Sequence, residues 1–539
     1  MNTGSGLRAA APGATTACLP LRLSPNKIAL NGLTAVLLLL LFLLPLAGCS
    51  TLPTDYPRTY SQALEDPKQT KTGAKITRLA EQRPGKSGFA ILRKGRGAFT
   101  SRIAMAGTAE KTLDLQYYIW EADTTGRILA DRLLQAADRG VRVRLLLDDI
   151  NLKGRDAIVA AMDAHENIEI RLFNPFSNRG IPALNFITDF NRVNHRMHNK
   201  MMVADNSVAI LGGRNIGNHY FGVDTQANFR DLDIMAAGPV VRDISSVFDH
   251  FWNGKWSVPI AALVKEPQTE EDLQLVRESL REKIAAESYP YPLDQDVAEL
   301  RSYLQSTRNA LVWASGSVQW DDPAEIGKEG HTSGMVDALA ERIGRLESEL
   351  LIESAYFVPM EKGVASLGAL VERNVKVRVL TNSLVSNDVL AAHSGYAESR
   401  KELVRSGVEV YELRPDAGIE DQKLFAGSSK AALHTKAMVF DRKDLFIGSL
   451  NLDPRSGLIN TEIGLHVESP QLAAQVIEYM DEGVLPGNSY RVQLDADGKL
   501  EWVTETNGRT ERYSKDPGSS FWQRFVSGFI AILPVEGQL

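Results

Sequence analysis

Two short stretches of this chain carry the same five residue types at the same offsets. The first is His198-Asn-Lys200, four residues, Asp205, six residues, then Gly212-Gly-Arg-Asn215. The second is His434-Thr-Lys436, four residues, Asp441, six residues, then Gly448-Ser-Leu-Asn451. The histidines stand 236 residues apart. Each stretch offers one imidazole, one ammonium and one amide. Two such sets facing each other suit a phosphodiester. Two Lys and two Asn can hold non-bridging oxygens and stabilise an in-line transition state without a metal. One His can attack phosphorus while the other protonates the leaving alkoxide. Imidazole suits both roles because its ordinary pKa lies near neutrality.

A nucleophilic His needs its second nitrogen held. Glu462 follows His434 in Asn460-Thr-Glu462, and Asp231 stands in the corresponding place after His198 in Phe229-Arg-Asp231. These two are the expected carboxylates, with Asp233 as the alternative to Asp231. Asp205 and Asp441 belong to the repeated catalytic constellation by spacing. Their place at the end of a strand, before a turn, suits a structural role better than a chemical one. Asn215 and Asn451 divide between phosphate contact and turn chemistry. Tyr118, Tyr356 and Ser449 are expected to line the site. His195 reads as a rim residue.

The elements that must position these groups also repeat. Thr112–Trp120, the stretch from Gly126 to Gly140 and Val141–Asp148 read as strand, helix and buried strand. Glu349–Val358, the stretch from Gly363 to Asn374 and Val375–Leu380 read the same way. That order implies parallel pairing with a right-handed crossover. His-x-Lys at period two places both side chains on one strand face. The expected fold is α/β: two pseudo-symmetric halves, each a mixed, mostly parallel sheet flanked by helices, with the site at their interface. The halves are expected at 86–260 and 301–490, joined by a charged, solvated helix within 261–300. Residues 491–539 read as a tail with an amphipathic segment. Its stripe of Phe521, Trp522, Phe525, Val526, Phe529, Ile530 and Leu533 either packs on the body or lies in a lipid interface.

Composition narrows the class. The chain has 539 residues, 44% hydrophobic and 24% charged, which fits a folded protein of two domains or one doubled domain. Lys plus Arg is 60 against 67 Asp plus Glu, a net charge of −7 that argues against nucleic acid as a partner. Cys18 and Cys49 are the only cysteines, so a disulfide scaffold and a Cys-rich metal cluster are excluded. Ahead of Cys49, Arg8, Arg22 and Lys27 precede an apolar run from Leu33 to Leu46. The run is short for a spanning helix, which needs about 20 residues, and has the layout of a secretory signal. The leader before it is long, which points to a start codon further downstream. Residues 50–85 read as a tether.

The paired His-x-Lys-x4-Asp-x6-Gly-x-x-Asn segments resemble the phospholipase D superfamily. The flanks Arg171-Leu-Phe-Asn-Pro-Phe176, Gly212-Gly-Arg-Asn-Ile216, Gly448-Ser-Leu-Asn-Leu-Asp-Pro-Arg-Ser456 and Ser520-Phe-Trp522 resemble its bacterial cardiolipin synthase C branch. The resemblance implies a phosphohistidine on His198, with His434 as general acid and base, and no cofactor or metal. It implies membrane phospholipids as partners, with phosphatidylglycerol as acceptor and phosphatidylethanolamine as donor. The same intermediate resolved by water would give a phospholipase D-type hydrolase or a nuclease. A lipoprotein that only binds anionic lipid is the non-enzymatic alternative. Gly213 departs from the Gly-Ser pattern. Leu46-Ala-Gly-Cys49 resembles the lipobox of bacterial lipoproteins, which implies lipidation of Cys49 and a periplasm-facing anchor. Ser50 after it resembles outer-membrane rather than inner-membrane sorting. An uncleaved signal anchor is the alternative, and the lipoprotein-like leader is a second departure from the branch.

Overall fold

The computed structural model describes residues 52–287, 302, 306–307, 310–328, 333–418 and 430–531. The segment up to Cys49 lies outside them, as does the far end of the C-terminal stripe. The residues from Leu52 onward form one unit built on an 18-stranded mixed sheet.

Each half is organised around three parallel strands. In the first, Thr112–Tyr117 pairs with Arg142–Asp148, which pairs with Ile168–Phe173. In the second, Glu349–Ser354, Lys376–Asn382 and Glu409–Leu413 pair the same way. The helices Thr124–Asp138 and Met360–Glu372 make the first crossovers. Asp123 starts the first of these by accepting the Gly126 N–H. Within each half's main sheet parallel pairing stops there, so that sheet is less parallel than expected. The strands after the His-x-Lys motifs return by tight turns, and a tight return forces antiparallel pairing. Met201–Ala204 lies antiparallel to Thr112–Tyr117 and to Val208–Gly212. Lys436–Phe440 does the same against Glu349–Ser354 and Asp444–Gly448.

The halves are joined edge to edge. Ser87–Leu92 pairs with Asp233–Ala237 of its own half and also with Val312–Trp320 of the other. Val312–Trp320 pairs in turn with Ile463–Glu468. One buried apolar cluster crosses the junction, with Val203, Leu211 and Ile234 from the first half and Val439, Ile447 and Leu465 from the second.

Three expectations change. Residues 58–64 are no loose tether. Arg144 is buried, and its guanidinium donates to the Ser61 carbonyl at 2.9 Å. The buried Trp252 indole donates to Ser61 Oγ at 2.9 Å. An extended polar chain is held there because it satisfies buried donors. A helix, Lys71–Glu81, follows. The linker helix, Glu270–Ala286, is not simply solvated: Leu273 is fully buried, and Arg277 pairs with Asp138 at 2.7 Å. Beyond residue 491 the chain continues the second sheet through Ser489–Leu494, Leu500–Thr506 and Arg509–Tyr513 before the helix Phe521–Ala531. Among the described residues, no helix is long and apolar enough to cross a membrane.

The repeated Asp residues lock strand ends rather than facing the His-Lys pairs. Asp205 has a φ of 52° and accepts the N–H groups of Glu110, Lys111 and Thr112 at 3.0, 2.8 and 2.9 Å. Asp441 has a φ of 49° and accepts those of Glu347, Ser348 and Glu349 at 3.1, 2.7 and 3.0 Å. Each carboxylate thus ties the end of the His-Lys strand to the start of the first parallel strand. Asp205→Ala leaves three amides without their acceptor and should lower stability by about 2–3 kcal/mol. Urea unfolding measures this; an unchanged midpoint would contradict it.

Candidate active site

The two His-x-Lys motifs meet where the halves touch, and the carboxylates cross over. Leu433 pairs with Arg230 in a short parallel ladder between Lys430–Leu433 and Ala227–Arg230. The next residues on each chain are His434 and Asp231, and His434 Nδ1 lies 2.7 Å from Asp231 Oδ2. On the other side, Met197 bridges Thr461 in parallel, and the His198 N–H donates to the Thr461 carbonyl at 2.9 Å. The next residue after Thr461 is Glu462, and His198 Nδ1 lies 2.9 Å from both its carboxylate oxygens. Each imidazole is therefore held by the other half's carboxylate. Asp233, the alternative to Asp231, is engaged elsewhere by buried Arg102 at 2.9 Å.

The two carboxylates differ in length, and their neighbours compensate. A Cβ at Gly213 would stand 2.1 Å from Asp231 Oδ1, so only glycine lets this shorter side chain sit there. Ser449, at the same place in the second repeat, donates Oγ–H to Glu462 Oε2 at 2.5 Å and is fully buried. Ser449 thus acts on Glu462. The departure at Gly213 has a steric reason.

Both lysines are buried, and each ammonium donates to the carbonyl of its own His at 2.5 Å. Burial holds Lys436 down to about 8, against the pull of Asp231. Burial also drives Lys200 well below its ordinary value, with Glu462 opposing. Both imidazoles are pushed well below 6.5 by burial and then by the two lysines, so they are neutral at pH 7 in the resting protein. Burial raises Glu462 to about 7, with Lys200 and the Ser449 hydroxyl opposing, and raises Asp231 as well.

Aromatic rings close the sides. Tyr118 meets the His198 ring edge-on at 4.9 Å, and Lys200 Nζ lies 5.1 Å from its centroid. Phe229 stacks on His434 at 5.0 Å, and Tyr220 meets it edge-on at 5.1 Å. Tyr356 donates to Asp388 at 2.9 Å. Asn215 is spent locally: Oδ1 accepts the Ile119 N–H at 3.1 Å and Nδ2 donates to the Tyr220 hydroxyl at 2.9 Å. Asn451 is buried, and its Oδ1 has no protein partner. The two amides are therefore not equivalent. His195 sits at the seam, with Nδ1 2.7 Å from the Ile459 carbonyl.

Sequence reasoning missed one pair. Asp148 ends a parallel strand and accepts the Met197 N–H at 2.8 Å. Asn382 ends the matching strand and accepts the Leu433 N–H at 2.8 Å. Both grip the residue just before a His. Extending the repeat by two residues, from Leu380 to Asn382, would have aligned them. Tyr220 and Phe229 were also missed as ring neighbours of His434, because only the fold brings them there.

Comparison with known proteins gives the following. The family model described as "Cardiolipin synthase, PLD-like domain" matches residues 103–252 and 339–483. Cardiolipin synthase C of Escherichia coli K12 is 41% identical over 465 residues, covering 85% of this chain and 97% of that protein. Cardiolipin synthase A of Pseudomonas putida GB-1 is 28% identical over 73% of this chain and 67% of its own length. The crystal structure of phosphatidylserine synthase from Haemophilus influenzae has the same fold, with a TM-score of 0.55 and 16% identity over 86% of this chain and 100% of that one.

The Ser449–Glu462 bond predicts a pH shift. The ionised Glu462 is the form that accepts Nδ1–H of His198, so activity should rise with pH through about 7. Ser449→Ala removes a bond to the ionised form and raises this carboxyl further. The acid limb of the pH–rate profile should move up by roughly one unit. An unmoved limb would contradict the role given to this hydroxyl.

Proposed function

Since the chain belongs to the cardiolipin synthase family of phospholipase D-like proteins, we propose that it is a phosphatidyltransferase that makes cardiolipin from phosphatidylglycerol, with phosphatidylethanolamine as donor. The observation that carries the reading is the pair of imidazoles, each held through Nδ1 by the opposite half's carboxylate and each beside a buried lysine.

With Nδ1 engaged, Nε2 of His198 is the free nucleophilic nitrogen. It attacks phosphorus and forms the N–P bond as the bond to the leaving alkoxide breaks. Glu462 stabilises the charge that builds on this ring. His434 is neutral at rest, but the anionic diester beside it favours the imidazolium, and that form donates the proton to the departing ethanolamine oxygen. Lys200 and Lys436 hold the non-bridging oxygens in a poorly solvated site, where each charge counts for more. His434, now neutral, takes the proton from a hydroxyl of phosphatidylglycerol, whose oxygen attacks phosphorus and releases His198. Tyr118, Tyr220 and Phe229 wall the imidazoles, and a positioned alcohol there outcompetes water.

We further propose that the enzyme is a bacterial lipoprotein, anchored through Cys49 and facing the periplasm, at the outer membrane in preference to the inner. Cys49 and the tract before it carry this part of the reading.

Isotopically distinct phosphatidylglycerol and phosphatidylethanolamine, followed by mass spectrometry of the products, test the reaction. Cardiolipin carrying the ethanolamine lipid's phosphatidyl group is expected; phosphatidic acid alone would overturn the transferase reading. His198→Ala and His434→Ala should each lower turnover by at least about a thousandfold. Full turnover in either variant would refute the mechanism.

A further inference from the structure

We infer that the rim of the site is a lipid-docking surface, made of residues 181–190 in the first half and the helix Phe521–Ala531 in the second. The inference rests on the phosphatidyl-transfer reading for what must reach the site. Where the surface lies rests on separate observations.

Residues 181–190 expose large apolar side chains: Ile181 is 57% exposed, Ile187 81% and Phe190 43%. The stretch is held from beneath by polar bonds. Asn185 Oδ1 accepts from Ser177 and from the Asn178 N–H at 2.8 and 2.9 Å, and Arg192 donates to the Pro175 carbonyl at 2.8 Å. Phe186 packs on Phe176 at 5.7 Å, and Arg196 lies over the Phe176 ring, two residues before His198. Short helical turns so braced do not fold their apolar groups inward. The stretch continues directly into the site. The Asn194 carbonyl accepts from Arg455 at 2.8 Å, which brings in the short helix Pro454–Leu458 of the other half, where Leu458 is 49% exposed.

The second half supplies its own patch. Phe521, Trp522 and Phe525 are 65%, 69% and 54% exposed. Their rings touch one another, at 6.2 Å for Phe521–Phe525 and 5.8 Å for Trp522–Phe525. The helix sits on Leu390–Arg405 through the Ser394–Ser527 hydroxyl pair at 3.0 Å. Leu390 follows closely on Asp388, the partner of Tyr356. So each half carries exposed aromatic or aliphatic groups, the first on a stretch that runs into the site and the second on a helix packed against the segment that follows Asp388. Aromatic rings on an amphipathic helix face suit the headgroup level of a bilayer.

The chain's entry fits the same side. The Leu64 carbonyl meets Asn206 at 2.8 Å, at the turn where the His-Lys strand ends, far from His198. Arg58 donates to the Ser257 carbonyl at 3.0 Å, and Ser257 pairs with Phe173, the site end of its strand. Followed toward the N-terminus, the chain climbs to the site's side of the sheet.

The test uses the full chain in vesicles of phosphatidylethanolamine and phosphatidylglycerol. A nitroxide placed at Ile187→Cys, and separately at Trp522→Cys, should be shielded from aqueous nickel and open to oxygen, while one at Leu485→Cys stays water-exposed. A water-exposed label at both rim positions would overturn the inference. Dipolar broadening between copies at Ile187→Cys would do the same, since it assigns the face to a second copy of this chain. The pair Ile187→Glu with Phe190→Glu should lower turnover of vesicle lipids at least tenfold and leave turnover of monomeric short-chain phospholipids within twofold. Unchanged turnover of vesicle lipids, or equal loss on both substrates, would also overturn it. If the unaltered protein turned over neither substrate, the transferase reading would fail, while the label depths would still decide the docking surface.

Discussion

The structure depends on two parallel contacts between the halves, each ending one residue before a histidine. Met197 pairs with Thr461, and Arg230 pairs with Leu433. Because strands in register advance together, the next residues, His198 with Glu462 and His434 with Asp231, are forced side by side. Neither half alone supplies both members of the His198–Glu462 or the His434–Asp231 pair. The continuous sheet and the apolar cluster across the junction keep this register, and a slip of one residue would turn the side chains to the other face. Asp148 and Asn382 hold the same two strands from beneath, by accepting the N–H of Met197 and Leu433.

Such a site is costly to bury. Two lysines, two histidines and two carboxylates lie out of water where isolated charges are disfavoured. The groups offset each other: the carboxylates hold the imidazoles, and the lysines restrain both carboxylates from rising further. The residual effect keeps the imidazoles neutral, with Nε2 unprotonated. The two sides reach this state differently. A shorter Asp with glycine behind it matches a longer Glu with a serine hydroxyl behind it. Exchanging one member alone would leave a clash or a gap.

Much of this was legible in the sequence because the protein is a repeat. The doubled motif identified His198, Lys200, His434 and Lys436 together, and the doubled strand–helix–strand pattern identified the α/β halves. The carboxylates Asp231 and Glu462 were legible as residue types, but not their crossed partners, since pairing across halves is set by the register of distant strands. Asp148 was hidden in an apolar run whose last residue looked like an ordinary strand end. The stretch around Ser61 looked like a tether because its composition is polar, yet buried Arg144 and Trp252 need its acceptors. The turn after each His-Lys strand was legible, but not how much of each sheet is antiparallel, because apolar runs do not reveal strand direction.

The central claim is that the halves share one site in which His198 takes the phosphatidyl group and His434 moves the proton. A single turnover with phosphorus-labelled donor lipid, quenched in base and digested for mass spectrometry, reads this directly. Label is expected on the His198 peptide, retained in His434→Ala at a slowed rate and absent in His198→Ala. Label on His434, or label that survives His198→Ala, would contradict it.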